Sequence, residues 1–459
     1  MKINHCLLSA LAIYGIGCTP PLQNQKDKTI PAVHLITLDP GHFHAALVQK
    51  SMYKDVDSIV HVYAPPGPDV QLHLDKITAY NKRAESPTRW KQEVYTANDF
   101  LDKMISEKKG NVVVMSGNNR NKTEFILKAV SAGFHVLADK PMAIDKKNFE
   151  LLRTAFSTAQ KNKVLLYDIM TERSEITTLL QREFSLSPQV FGKLEKGTVD
   201  NPAVTKESVH HFYKYVSGSV LTRPPWFMDV AQQGEGIVDV TTHLVDLIQW
   251  ECFPEQVIDY EKDVKINSAH RTTTDMTLSQ FNAITKLTAF PGYLNKNLVN
   301  DSILKIYSNG EINYQLRGVN AKVSVTWAYK APEGAGDTHY SIMRGTIANL
   351  VIRQGAEQKY QPALYIEPVN HGDSSFSNVL MEYMKLIRDK YPGVDLKKNS
   401  AGWEVIIPEK YKEGHEAHFG RVTERFLEYL KQGRLPDWEV PNMLAKYYTT
   451  TSALELATK

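Results

Sequence analysis

The sequence predicts an α/β protein in two parts: an N-terminal doubly wound parallel sheet, then a C-terminal α+β domain with a large, mainly antiparallel sheet. Three observations carry this expectation. The chain has 459 residues, more than one hydrophobic core usually organises. From Ala32 to about Lys163, apolar runs alternate with amphipathic stretches, the pattern of strands joined by crossover helices. Beyond Glu172, β-branched and aromatic segments punctuated by Gly and Asn dominate, as in antiparallel sheets.

In the first part, Val33 to Leu38, Ile59 to Tyr63, Val112 to Met115, His135 to Ala138 and Val164 to Tyr167 read as buried strands. Ala45 to Lys50, Ala97 to Lys108, Lys122 to Ala132 and Lys147 to Asn162 read as helices between them. The polar stretch Pro65 to Glu93 reads as a helix and loop over the strand ends, the edge at which open α/β sheets bind ligands. In the second part, helices are expected at Ile176 to Phe184, Asp239 to Trp250, His415 to Gln432 and Met443 to Ala457. Strands are expected near Gly192 to Thr198, Thr277 to Phe281, Ile284 to Ala289, Ile303 to Ser308, Ile312 to Leu316, Lys322 to Trp327 and Ile347 to Arg353. Asn309-Gly310 reads as a hairpin turn.

Composition narrows the function. Hydrophobic residues make up 42% and charged residues 23%, with a net charge of +3, so neither disorder nor a nucleic-acid-binding surface is expected. The three cysteines, Cys6, Cys18 and Cys252, are too few and badly spaced for a disulfide framework or a thiolate zinc site. Lys2, the apolar run Leu7 to Ile16 and Gly17-Cys18 resemble a bacterial lipoprotein signal, with Gly15 where leucine is usual. This reading makes residues 1–18 a signal, Cys18 the lipidated residue, residues 19–31 a polar tether, and the protein exported, periplasmic or anchored at the outer membrane. A plain secretory signal stays open, and membrane contact is expected only through the lipid anchor.

Two segments carry the chemistry. Ala138-Asp139-Lys140-Pro141 ends an apolar run, and Pro141 biases Lys140 toward an extended conformation at a strand end. Gly234-Glu235-Gly236 leads to Asp239 and His243, four residues apart and so on one helical face, with Asp246 a further turn along. Oxidation of a secondary alcohol needs a base at the hydroxyl proton, which suits an imidazole, and a cation to polarise the oxygen, which suits a lysine. Taken singly, Lys140 also fits a solvated loop lysine or a partner of Asp139, and Asp239 with His243 also fits a helix-start carboxylate and a core histidine. The Asp239/His243 spacing suits two zinc ligands, but no convincing third is evident and no metal is assigned. A dinucleotide fold usually shows three glycines after its first strand and an acid ending its second. Here the turn Asp39-Pro40-Gly41-His42-Phe43-His44 keeps one glycine, and the second strand ends Tyr63-Ala64-Pro65-Pro66.

Taken together, the order of strands and helices, Ala132-Gly133-Phe134-His135-Val136 followed by Asp139-Lys140-Pro141, and Gly234, Gly236, Asp239, His243 and Asp246 resemble the glucose-fructose oxidoreductase and inositol dehydrogenase family, Gfo/Idh/MocA. The resemblance implies a Rossmann-like first domain over residues 32–170 and a substrate-binding or oligomerisation domain over residues 171–459, whose terminal helices pack back toward the first. It implies NAD, with NADP not excluded, at Gly41, His42, Phe43, Pro65, Ser116, Gly117, Asn118, Asn119, Asp139 and Lys140, and because an exported enzyme meets little free nicotinamide cofactor, tight binding is expected. Lys140, Asp239 and His243 are then catalytic; Tyr167, Glu172, Arg173 and Trp226, residues whose aromatic faces and charges suit hydroxyl-rich rings but fit interface packing as well, are expected to join Asp239 and His243 around a carbohydrate substrate. Lys122 stands where the family has histidine, and Glu235 replaces the middle glycine. Hydride exchange at a ring hydroxyl is the expected reaction. Redox-neutral glycoside cleavage by oxidation and elimination, and a non-catalytic carbohydrate-binding lipoprotein, are the alternatives. Self-association through the second sheet is plausible.

Overall fold

The computed structural model describes residues 33–216, 219–372 and 374–459, so the signal, tether and Cys18 lie outside the described residues. Six parallel strands form the first sheet: β1 (Leu35–Leu38), β2 (Ile59–Ala64), β3 (Lys91–Thr96), β4 (Val112–Met115), β5 (His135–Asp139) and β6 (Leu166–Ile169). Their order, β3-β2-β1-β4-β5-β6, is that of a doubly wound dinucleotide-binding sheet, reversing direction between β1 and β4. The crossover helices are α1 (His44–Leu47), α2 (Pro68–Lys82), α3 (Phe100–Glu107), α4 (Lys122–Ser131) and α5 (Lys146–Asn162). The central strands β1 and β4 are buried at every position, which is why they read as unbroken apolar runs. The edge strand β3 escaped the sequence reading because its polar residues are mostly exposed and look like loop. The first helix is also shorter than the expected 45–50, keeping a single turn.

The second sheet is larger. Its order is Val264–Thr277, Ile303–Leu316, Val319–Lys330, Val204–Tyr213, Thr338–Arg344, Ala348–Arg353, Ala363–Pro368, Trp403–Ile406 and Asp395–Lys398. All neighbouring pairs along it are antiparallel except Val319–Lys330 with Val204–Tyr213. The α/β class with a mainly antiparallel second sheet therefore holds.

Several expected elements differ. Asn309-Gly310 is no turn; both lie inside one strand, Ile303–Leu316, beside a register shift opposite Thr272 and Thr274. A Cβ on Gly310 would meet the Ile237 backbone at 2.7 Å, so this glycine serves close backbone approach. Thr277–Phe281 and Ile284–Ala289 are not strands: Thr277 and Gln280 form a reciprocal capping box that starts the helix Leu278–Thr285. Residues 192–198 form a loop with isolated bridges, and the nearby strand is Val204–Tyr213.

Two terminal helices bind the layers together. His415–Gln432 buries Phe419, Val422 and Phe426 in the apolar core of the first sheet. Glu439–Ala457 places Met443 and Tyr447 in that core and Ala445 and Ala453 in the core of the second. Among these apolar contacts lies a buried ionic network. Arg173 donates two parallel hydrogen bonds to Asp246, Nε to Oδ2 and NH2 to Oδ1, both 2.7 Å, and its NH1 meets Glu439 Oε1 at 3.0 Å. Lys446 Nζ bridges Asp246 Oδ1 at 2.9 Å and Asp168 Oδ2 at 2.6 Å. The cations offset the desolvation of the carboxylates, so the network fixes the helix Thr241–Cys252 in rotation and height.

Candidate active site

The site is built where the ends of β1, β4 and β5 face the segment 225–243. Gly234 takes φ +95°, a left-handed conformation that glycine adopts without strain. Gly236 N donates to Tyr307 O at 3.0 Å, and a Cβ there would lie 1.7 Å from Ser308 O. The glycines thus press this segment onto the second sheet, while Glu235, in the middle-glycine position, pairs with Arg271 NH1 at 2.5 Å in a largely buried contact. Asp239 lies just ahead of the helix Thr241–Cys252, rather than on its face, and His243 lies in its first turn.

This path closes the gap in sequence. Lys140 Nζ donates to Asp239 Oδ1 at 2.5 Å, and Gln233 Nε2 donates to Oδ2 at 3.1 Å. Lys140, Asp239 and His243 line one cavity of about 1360 Å³, larger than the ~300–1,000 Å³ of an ordinary small-molecule pocket. Phe227 and Trp327 supply aromatic faces to it, and His210, Asp337 and His415 supply polar groups. Burial and the neighbouring Lys140 charge hold His243 well below the usual imidazole range, so the ring is neutral and able to accept a proton. Burial pushes the Glu172 carboxyl up to about 7, with Glu175 adding to the effect.

Not every expected substrate residue is there. Glu172 lines the cavity. Arg173 is committed to Asp246 and Glu439, and Tyr167 is buried with its hydroxyl on Glu439 Oε1 at 3.3 Å, stacked on Phe426. Both hold the scaffold. Asp246 belongs to the same network. Trp226 lies outside the cavity lining: its Nε1 donates to Asp69 Oδ2 at 2.7 Å, and its ring lies 3.0 Å from where a Cβ on Gly41 would be. Asp337 escaped sequence reading because it sits in a Gly-rich loop; there His210 Nδ1 approaches it at 3.1 Å, His211 Nδ1 at 3.2 Å and Lys214 Nζ at 2.7 Å.

The expected cofactor residues divide between two openings. His42 and Phe43 line the large cavity with Lys140. Pro65 and Asn118 line a groove of about 250 Å³ with Asp39, Asp69 and Arg120. Between the openings lies the turn at Gly41, where Gly41 N and His42 N both donate to Ser116 O, at 3.2 and 3.1 Å. Asp39 occupies the first glycine position of the turn with φ +47°. Gly117 packs on it so closely that a Cβ would lie 2.0 Å from Asp39 O. Ser116 Oγ and His44 Nδ1 both donate to Asp139 Oδ2 at 2.9 Å, so Asp139 turns toward the turn after β1. Asn119 Nδ2 donates to Gln233 O at 2.7 Å, whereas Asn119 Oδ1 and His243 Nδ1, both buried, have no hydrogen-bond partner among the described residues. Unpaired buried acceptors beside the two openings fit a polar ligand spanning them, as a dinucleotide would.

A doubly wound sheet, a switch-point turn and a lysine, carboxylate and histidine over one cavity define a two-domain NAD(P)-dependent oxidoreductase. A family profile described as "Oxidoreductase family, NAD-binding Rossmann fold" matches residues 42–168, and one described as "Putative oxidoreductase C terminal domain" matches residues 180–458. The chain belongs to this Gfo/Idh/MocA oxidoreductase family. It is similar to a crystal structure of a "putative oxidoreductase" from Parabacteroides merdae ATCC 43184, with 57% identity over 93% of this chain and 98% of that one, and a TM-score of 0.91. It shares its fold with a levoglucosan dehydrogenase in complex with NADH and L-sorbose, at 10% identity over 93% and 97% of the two chains and a TM-score of 0.60. The same holds for GenD2 from gentamicin A biosynthesis in complex with NAD, at 14% identity over 96% and 98% and a TM-score of 0.54. No functionally curated protein matches the chain.

Proposed function

We propose that the protein oxidises or reduces a ring hydroxyl or keto group of a sugar, glycoside or polyol. The observation that carries this reading is the convergence of Lys140, Asp239 and His243 on one wide cavity with aromatic walls. The bound nicotinamide supplies hydride exchange. Gly41, Pro65, Asn118 and Asn119 hold the dinucleotide. Lys140, kept in place by Asp239, donates a hydrogen bond to the reacting oxygen. His243, neutral in its buried setting, takes or returns the hydroxyl proton. Phe227 and Trp327 pack against the sugar's C–H faces, and burial of these rings excludes water from the reacting carbon. The levoglucosan dehydrogenase relative, whose complexes hold sugars, supports a carbohydrate substrate.

A second reading, redox-neutral cleavage of a glycoside by oxidation followed by elimination, is favoured by Glu172. Its buried carboxyl offers the cavity an additional proton carrier near neutral pH. One experiment tests both. Purified protein is denatured and its supernatant analysed for nicotinamide dinucleotide, and the native protein is then assayed on a panel of glycosides for reduced cofactor and for released aglycone. Cofactor reduction supports the first reading and aglycone release without net reduction the second. Absence of both, with no nucleotide bound or bindable, overturns the proposal. Lipidation at Cys18 and export rest on the sequence, and labelled palmitate incorporation tests them.

A further inference from the structure

The turn after β1 carries more than the remnant of a phosphate-binding loop. We propose that His42, His44 and Asp139 form a binding site for a divalent transition cation of the zinc class, with an open coordination position facing the cavity. Their ligand atoms all lie within 4.8 Å of one another. His44 Nδ1 is 2.9 Å and His42 Nδ1 3.5 Å from Asp139 Oδ2. Tetrahedral zinc with bonds of roughly 2.0–2.1 Å spaces its ligands at about 3.3 Å, and the two observed separations bracket that value. Hydrogen bonding alone leaves the cluster incomplete. Asp139 Oδ2 already accepts from Ser116 Oγ and His44 Nδ1, which uses its lone pairs. His42 Nδ1, buried 3.5 Å from the same oxygen, has no hydrogen-bond partner among the described residues. A cation among the three atoms satisfies both imidazoles and the carboxylate together.

The site differs in every ligand from the Asp239/His243 pair that sequence spacing suggested. His42 and His44 line the large cavity, so the fourth position is open to a ligand there, the arrangement of catalytic rather than structural zinc sites. A hydroxyl or carbonyl oxygen of a carbohydrate is a suitable occupant. The proposal rests on the ligand geometry and not on the redox reading. Tag-free full-length protein, stripped with chelator, is titrated with Zn²⁺ by calorimetry and with Co²⁺ by visible absorption. One ion per chain, a tetrahedral Co²⁺ spectrum and a zinc-dependent rise in melting temperature are expected. Each is lost in His42→Ala and in His44→Ala, while circular dichroism reports whether each variant remains folded. If His44→Ala does not fold, the less buried His42→Ala decides. No stoichiometric binding by the wild type, or equal binding by a folded variant, overturns the proposal.

Discussion

Lys140 Nζ and Asp239 Oδ1 lie 2.5 Å apart although 99 residues separate them in sequence. Their contact joins the end of β5 to the glycine-bounded segment that precedes the helix of His243. Replacing Lys140 by alanine removes the donor to the reacting oxygen and leaves Asp239 buried without its cation. Turnover falls by about 10²–10⁴-fold, while nucleotide affinity, measured by calorimetry, stays within a few-fold of wild type. Asp239→Asn, which keeps shape but not charge, loses less.

Glu172 sets a pH dependence of stability. Its folded pKa of about 7 lies above its ordinary value of 4.5, so the native state binds the proton more tightly than the unfolded chain does. The Glu172 contribution is therefore most favourable below the ordinary value and is lost as pH rises toward the folded value. Denaturant midpoints are measured from about pH 5 to about pH 8 for wild type and for Glu172→Gln, and the stability of wild type relative to the variant falls as pH rises through this window. His243, held well below its usual range, works in the opposite sense: as pH falls through the ordinary imidazole range the unfolded chain takes up this proton and the native state does not, so its contribution is lost toward acid pH.

Arg173 supports the site without entering it. Its removal leaves Asp246 and Glu439 buried with Lys446 as the remaining cation of the network. Truncating one partner of a buried pair costs roughly 3–5 kcal/mol, so Arg173→Ala lowers the chemical denaturation free energy by that order. Lys446→Met costs a similar amount, because Asp168 is then left buried without its cation although Arg173 still pairs with Asp246.

Trp226 reports on the cofactor turn. Its indole covers Gly41 and is tied to Asp69, which lines the groove. Saturation with NAD changes the emission of this tryptophan, and the change is absent in Trp226→Phe. A Cβ on Gly41 would sit 3.0 Å from the indole and 3.1 Å from Asp69 Oδ2, so Gly41→Val weakens NAD binding in the same titration.

How much of this was legible in sequence depended on how far each signal stood alone. The buried strands β1 and β4 announced themselves because every residue faces apolar surroundings. The bounds of the helix His415–Gln432 are legible to the residue, since its apolar face repeats with helical spacing and Gly433 ends it. By contrast, Asn309-Gly310 carried a turn signature, but the glycine answers to Ile237 on another segment, a long-range demand that local reading cannot see. The same limit hid Trp226 on Gly41, Arg173 in the ionic network and Asp337 on its histidines, because each pairing joins distant parts of the chain. His42 and His44 were visible as neighbours in the turn. Their meaning as a pair needed Asp139 of β5 brought between them.

The most direct test of the central claim follows the hydrogen. A glycoside carrying deuterium on each ring carbinol carbon is incubated with the protein and oxidised nicotinamide dinucleotide, and the recovered nucleotide is weighed by mass spectrometry. Label on the nicotinamide ring, lost in Lys140→Ala and His243→Ala, is the predicted result. Nucleotide that is bound yet unlabelled, with glycosides across the panel and wild-type protein, would contradict the account.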